Sequence, residues 1–397
     1  MGARPGTERA SGRGDAGLEP RSRPSASSVP GAVAAFGLDL YRELAQRPGN
    51  LFFSPWSISL ALAMTRLGAR GQTLHEMERT LRLPDNGQVD AGFRDMLHRL
   101  TGAAAGFFQL VMANRLFAQQ GYPLKQRFVE AVQRFYGAGI QSLDLAGAAQ
   151  AAAKAINDWV GRVTRGRIRQ LVAPRLLSSR TRLVIANAVY FKARWALPFR
   201  KSHTEKALFY LSGTQSKSVD MMQGKVRARY AESRDWQALG LAYRGGRFEF
   251  LAILPKDLDD LAALERRLTP EFLEQVAGAL SSRLVRVWLP RFRLKSAFRL
   301  SGVLQKLGMP LAFSPQADFS GITPRRPGLS VSEVVHVANC DVDEAGTEAA
   351  AATGIVMVTR ARIRQEYPVF RADHPFLFLI WDRQTRTVLF LGRLAKP

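Results

Sequence analysis

The chain has 397 residues, 46% of them apolar, with 57 Lys and Arg against 33 Asp and Glu and a formal net charge of +24 at pH 7. That much apolar material can bury a large core, and the absence of a repeat period or long polar linker excludes a repeat array and points to one large domain with an arm. The charge would draw the protein to polyanions such as nucleic acid, sulfated polysaccharide or acidic lipid, but it says nothing of fold.

Residues 1–30 are rich in Gly, Pro, Ser and Arg with almost no large apolar side chain. They cannot offset the entropy cost of ordering and are expected to form a disordered basic arm, with the folded domain over 31–397. No apolar run is long enough for a signal-peptide core, and none is both charge-free and of membrane-spanning length, so a soluble chain without a membrane span is expected. Helical spacing then predicts a first helix over "AVAAFGLDLYRELAQ", a buried second over "SPWSISLALAMTRLGA" opened by Ser54 and Pro55, and a third over "GQTLHEMERTLRL". "FFQLVMANRLFAQ" predicts a buried strand, "PLKQRFVEAVQRFY" and "AAAKAINDWVGRVT" amphipathic helices, and "RLVIANAVYFKARW" a central strand apolar on both faces. Beyond these, "FEFLAILP", "SRLVRVWLPRF", "HPFLFLIWD" and "TVLFLGRL" read as strands, with a helical "LDDLAALERRL" between the first two. Helices first and strands later predict an α+β domain with large sheets.

Anchors for enzyme chemistry are missing. The five histidines make no metal-ligand pair of the HExxH or Cys/His kind, and there is no nucleophile elbow, P-loop or dinucleotide fingerprint. No metal and no cofactor are expected. The only cysteine, Cys340, excludes an intrachain disulfide and reads as a small buried hydrophobe. Basic clusters occur at Arg162, Arg165, Arg167 and Arg169 and over Arg283, Arg286, Arg291, Arg293, Lys295 and Arg299, without a recognisable nucleic-acid motif, so sequence-specific nucleic-acid binding is not expected.

One stretch, "DEAGTEAAAATGIVMVTRARIR", fits neither helix nor strand. Glu348 to Ala352 favour helix, yet Gly346 and Gly354 bracket them and Ile355, Val356 and Val358 favour strand. Exposed, the segment would be a protease target, with Arg360, Arg362 and Arg364 suited to trypsin-like enzymes.

Several segments resemble the serpin family of serine protease inhibitors, in family order: "NLFFSPWSISLALAM", "INDWV" with "GRIRQLV", "LVIANAVYFKARW", "ADFSGI", "VVHVANCDVDEAGTEAAAAT" and "HPFLFLIWDRQTRTVLFLGRLAKP". The resemblance implies a fold of three β-sheets with about nine helices and an exposed reactive-centre loop at about 344–368. It implies further that a target protease attacks this loop, becomes an acyl-enzyme, and is carried off as the loop's first half inserts in the main sheet. In that family the insertion is a strand addition that releases stored strain.

The hinge would be Glu344, Gly346, Thr347, Glu348, Ala349, Ala350, Ala351, Ala352 and Thr353. Strand alternation, with Thr347 inward, also turns Ala349, Ala351 and Thr353 inward and leaves Glu348, Ala350 and Ala352 outside, so no charge enters the core. Short side chains keep the steric barrier low, and Gly346 can absorb a large dihedral change. Family spacing from the hinge sets the reactive bond between Arg360 and Ala361, whereas counting back from "HPF" makes Arg364 a candidate, with Arg362 between; any of the three implies a trypsin-like serine protease as partner. Ser54, Ser57, Asn187 and His336 match the family's hydrogen-bonding cluster beneath the central strands, and Trp195 its tryptophan near the loop. The cleavage-site arginine and "FLGRLAKP" most resemble the plasminogen activator inhibitor, nexin and antithrombin branches, which implies an extracellular monomer with a heparin-like polyanion as candidate partner. "NGQVDAGFRDMLHRL", where that site commonly lies, offers only Arg94, His98 and Arg99; Arg162, Arg165, Arg167 and Arg169 are the second candidate. A non-inhibitory serpin acting as carrier or chaperone, or a basic polyanion-binding protein, are the competing readings.

Overall fold

The computed structural model describes residues 28–102, 108–324, 328–347 and 366–397. Among these are nine α-helices: α1 (Val29–Leu44), α2 (Pro55–Arg66), α3 (Gly71–Thr80), α4 (Val89–Gly102), α5 (Gln126–Tyr136), α6 (Ala149–Val163), α7 (Leu261–Arg266), α8 (Pro270–Ala279) and α9 (Ser301–Leu307). The expected boundary at residue 31 moves back. Ser28 caps α1 by accepting from Gly31 N, and Pro30 sits in the first turn, so residues that read as arm are the start of the helix.

One sheet has the order β10 (Phe292–Arg299), β11 (Val331–Asp343), β12 (Gly346–Thr347), β4 (Leu183–Arg194), β2 (Phe108–Gln119) and β3 (Gly139–Leu143). The other runs β1 (Leu51–Phe53), β15 (Thr387–Leu394), β14 (Phe376–Asp382), β8 (Phe248–Pro255), β7 (Trp236–Ala242), β6 (Ser216–Glu232), β9 (Ser281–Pro290) and β13 (Val369–Arg371), with β5 (Thr204–Tyr210) also on β6. Two of the three expected sheets are thus joined. The long β6 pairs with β9 over Met221–Tyr230 and with β7 over Arg229–Glu232, so one strand serves both.

α2 carries the core. Ser54 accepts from Ser57 N at 3.1 Å, Pro55 opens the first turn, and every residue from Pro55 to Thr65 is buried. A helix apolar on all sides must be enclosed, and this one packs against β4, β2 and β15. The run "SRLVRVWLPRF" covers β9 from Ser282 to Pro290 and reaches, at Phe292, the first residue of β10 in the other sheet. The basic cluster from Arg283 to Arg299 parts accordingly. Arg283 and Arg286 stay on β9, while Arg293 and Arg299 on β10 pair with Asp341 and Glu333 of β11.

Candidate functional site: the seam between β4 and β11

β4 and β11 run parallel and pair from Leu183 with Val331 to Tyr190 with Asn339. Above that point the strands part. The chain turns at Glu344–Ala345 and returns as β12, antiparallel to both neighbours, with Thr347 opposite Val342 and Ala193 and Gly346 opposite Asp343 and Arg194. Asp343 closes the turn, its Oδ1 accepting from Ala345 N at 2.8 Å and Gly346 N at 3.3 Å, while burial holds its carboxyl above the usual range.

Gly346 has φ 149°, and a Cβ there would lie 2.1 Å from Ala193 O and 2.6 Å from Arg194 Cα. Only glycine lets the backbone pass so close to β4. Gly346→Ala is therefore expected to lower stability by about 1–3 kcal/mol, because β12 must leave its place or strain. Denaturant unfolding checks this, and an unchanged midpoint would mean that the close approach is not held in solution.

Aromatic groups grip the same turn. Trp195 donates from its backbone N to Ala345 O and from Nε1 to Asp343 O, both at 2.9 Å, and its ring stacks on Tyr243 at 4.7 Å between centroids. The Tyr243 hydroxyl, kept protonated by burial, meets Thr347 Oγ1 at 2.7 Å. Glu344 is also buried, yet Thr204 Oγ1 donates to its Oε1 at 2.6 Å and Arg291 Nε stands 3.6 Å away, so its charge is partnered.

Lower on the seam a row of polar side chains crosses three strands. Asn114 of β2 stands opposite Asn187 of β4, which stands opposite His336 of β11. Ser54 N donates to His336 Nε2 at 3.2 Å, so Nε2 must be the bare nitrogen and Nδ1–H donates to Asn187 Oδ1. Asn187 Nδ2 faces Ser57 O at 2.8 Å, Ser57 Oγ at 2.7 Å and Asn114 Oδ1, while Ser54 Oγ donates to Leu389 O at 2.6 Å. With no exposed surface, the imidazole is pushed down to a pKa of about 3 by burial and is neutral. The row fastens together the two strands that a chain continuing from β12 would have to separate.

Ser54, Ser57, Asn187 and His336 thus come together in one network, while Trp195, Glu344, Gly346 and Thr347 meet at the turn above it. Glu348, Ala349, Ala350, Ala351, Ala352, Thr353, Arg360, Ala361, Arg362 and Arg364 lie outside the described residues. Arg162 lies in the last turn of α6, and Arg165, Arg167 and Arg169 follow the helix, all exposed, with Arg167 over the Tyr190 ring at 5.3 Å. Asn114, Thr204, Tyr243 and Asp343 are site residues that the sequence did not single out, and Arg291 was named only as part of a basic cluster. Cys340 is buried and its thiol is pushed well up by burial, which fits a packing role. Among the described residues no His, Cys, Asp and Glu gather as a metal-binding group, and no helix is long and apolar enough to cross a membrane.

A strand turning back between two central strands of a mixed α+β fold defines a class, and comparison with known proteins names it. The serpin (serine protease inhibitor) family model matches residues 31–397, and the chain belongs to that family. It is 41% identical to an uncharacterized serpin-like protein of Thermococcus kodakarensis over 93% of this chain and 86% of that one. It is 38% identical to serpin B6 of Pongo abelii and to leukocyte elastase inhibitor of Bos taurus, each over 92% of this chain and 98% of the relative. Among solved structures it is similar to serpin48 of the insect Tenebrio molitor, with TM-score 0.84, 31% identity and coverage of 93% and 98%. Uncleaved ovalbumin gives TM-score 0.84, 30% identity and coverage of 93% and 100%. The extracellular location expected from the antithrombin-like resemblance is corrected by these relatives, because serpin B6, leukocyte elastase inhibitor and serpin B8 are serpins of the intracellular type.

Proposed function

We propose that this serpin inhibits trypsin-like serine proteases as a suicide substrate cut between Arg360 and Ala361. The protease serine attacks the Arg360 carbonyl, the C–N bond to Ala361 breaks, and the amine leaves with the proton delivered by the enzyme's base. The chain following Thr347 then continues β12 down the seam and carries the acyl-enzyme with it before water can release the acyl group. The observation that carries this reading is β12 itself: Gly346 and Thr347 already pair with both β11 and β4, antiparallel to each. The small residues Ala349, Ala351 and Thr353 would follow Thr347 inward by strand alternation.

Incubation with trypsin, thrombin, urokinase and plasmin is expected to give a complex stable in SDS and a released fragment beginning at Ala361. Arg360→Leu is expected to slow trapping of trypsin by about 100-fold or more, because the guanidinium that fills a carboxylate-floored pocket is gone. Unchanged trapping by that variant would move the bond to Arg362 or Arg364. Clean cleavage with no complex, for every protease, would make the chain a substrate rather than an inhibitor.

A further inference from the structure

The exposed face of β9 and its two neighbours carries positive charge arranged around aromatic rings. Lys225 of β6 stands directly opposite Arg286 of β9, and Val369 of β13 flanks Arg286 on the other side. Like charges opposite one another cost stability, so this pair is a local rule broken on an otherwise regular sheet. The next row places Arg371 beside Trp288, whose ring lies 5.1 Å from the Arg286 guanidinium and 5.6 Å from that of Arg371. Lys225 Nζ sits 3.4 Å from the centre of the Tyr367 ring, and the exposed Arg227 extends the row. Arg371 pairs with Asp373, whereas Lys225, Arg227 and Arg286 have no carboxylate partner among the described residues.

The rings hold Lys225 and Arg286. A guanidinium resting on an aromatic face is already ordered and presents its N–H edge outward, which suits a carboxylate at little further entropy cost. A ring so covered is a poor platform for stacking nucleic-acid bases. Position selects the partner. Arg360 stands six residues before Glu366, the first described residue beyond the loop, so its Cα lies within about 20 Å of Glu366, which adjoins Tyr367 in the patch. A protease domain of about 225 residues has a radius of gyration of about 17 Å, hence a diameter of about 40 Å, wide enough for one engaged on Arg360 to reach this face.

We infer that Lys225, ordered on Tyr367, and Arg286, ordered on Trp288, form with the neighbouring Arg227 a second docking surface for the target protease, one that recognises an acidic loop beside the protease's active site. The inference rests on the proposed inhibition. Charge complementarity of this kind acts mainly on association, steering the enzyme onto the scissile bond.

The test measures second-order rates of Arg360–Ala361 cleavage, read as fragment release, with trypsin, thrombin, urokinase and plasmin. Salt is set at about 0.1 M and about 1 M, where the Debye length is about 10 Å and about 3 Å. Lys225→Glu with Arg286→Glu is expected to slow the fastest enzyme of the four by about tenfold or more at the lower salt, with the gap closing to about twofold at the higher. Arg79→Glu with Arg127→Glu, at exposed positions of α3 and α5, makes the same change in net charge and should leave the rate within about twofold. Arg286→Ala, which introduces no new charge, keeps the test open if the double reversal folds poorly.

Rates unaltered by the patch variants would overturn the inference, and so would equal slowing by the Arg79 and Arg127 pair. Loss of heparin retention with unaltered rates would assign the patch to a polyanion and overturn it too. Complex formation is read separately on SDS gels. Cleavage sensitive to patch charge without any complex would sink the inhibitor reading and leave this one standing; trapping at charge-insensitive rates would do the reverse.

Discussion

Thr347→Arg is expected to leave cleavage after Arg360 intact and to abolish the trapped complex. Thr347 has no exposed surface, lies between Val342 and Ala193, and spends its hydroxyl on Tyr243. A guanidinium there must be buried or must hold β12 out of the sheet, and a buried charge without a designed partner costs several kcal/mol. Each 1.4 kcal/mol is a tenfold change in rate, so a penalty of about 3–4 kcal/mol in the transition state for insertion slows it by about 100- to 1000-fold. Hydrolysis of the acyl-enzyme then wins. On gels incubated with trypsin the cleaved chain should replace the complex, while the rate at which intact chain disappears stays within about twofold of wild type. Thr347→Val, which keeps the shape without the hydroxyl, should retain most of the complex. Full complex yield from the arginine variant would mean that Thr347 is not on the path of insertion.

The elements legible in the sequence are those whose signals are local. Ser54 and Pro55 announce α2 because a cap and a first-turn proline act within four residues, and "FEFLAILP" and "TVLFLGRL" match β8 and β15 because strands buried on both faces are mostly apolar. β6 went unassigned although Lys225, Arg227 and Arg229 alternate with Val226, Ala228 and Tyr230 at the period of a strand; that this one strand joins two sheets is what no local pattern carries. The helix α8 went unassigned although Thr269 accepts from Phe272 N and Pro270 opens it. Site residues divide the same way. His336, Asn187, Ser54 and Ser57 were reachable through a family resemblance, whereas Asn114 joins them only through the register of β2 on β4, and Tyr243 and Thr204 through contacts with residues more than a hundred positions away. Register is a tertiary property, and no local pattern encodes it.

The two halves of the site oppose each other. At the top, Gly346 and Thr347 begin a strand whose continuation needs β4 and β11 apart; below, Asn187 and His336 hold those strands together. A buried network that is fully satisfied is costly to disturb, which is what a lock on a seam requires. The lock must nonetheless be breakable from above, one residue pair at a time, beginning at Asn339 and Tyr190, three residues beyond the His336 pair.

His336 should make the lock sensitive to acid. Its folded pKa of about 3 lies below the ordinary value of 6.5, so between these limits the unfolded chain binds the proton that the folded chain refuses. Stability therefore falls as pH falls through that window, by up to about 1.4 kcal/mol per unit, and is independent of this group above it. Between pH about 7.5 and about 5 the loss is about 2 kcal/mol, a range chosen because most carboxylates have yet to protonate. Denaturant midpoints of His336→Gln should lack that slope while those of the wild type show it. His336→Ala goes further, leaving Ser54 N–H and Asn187 Oδ1 buried without partners at about 1–3 kcal/mol each, and β4 and β11 unfastened at the middle of their pairing. Its expected product on mild warming is a chain that has inserted its own loop uncleaved, or joined others through it, read as loss of monomer by size exclusion and of trypsin trapping. Monomer content and midpoint equal to wild type would show that the seam is held by its backbone pairing alone and that the polar row is not the lock.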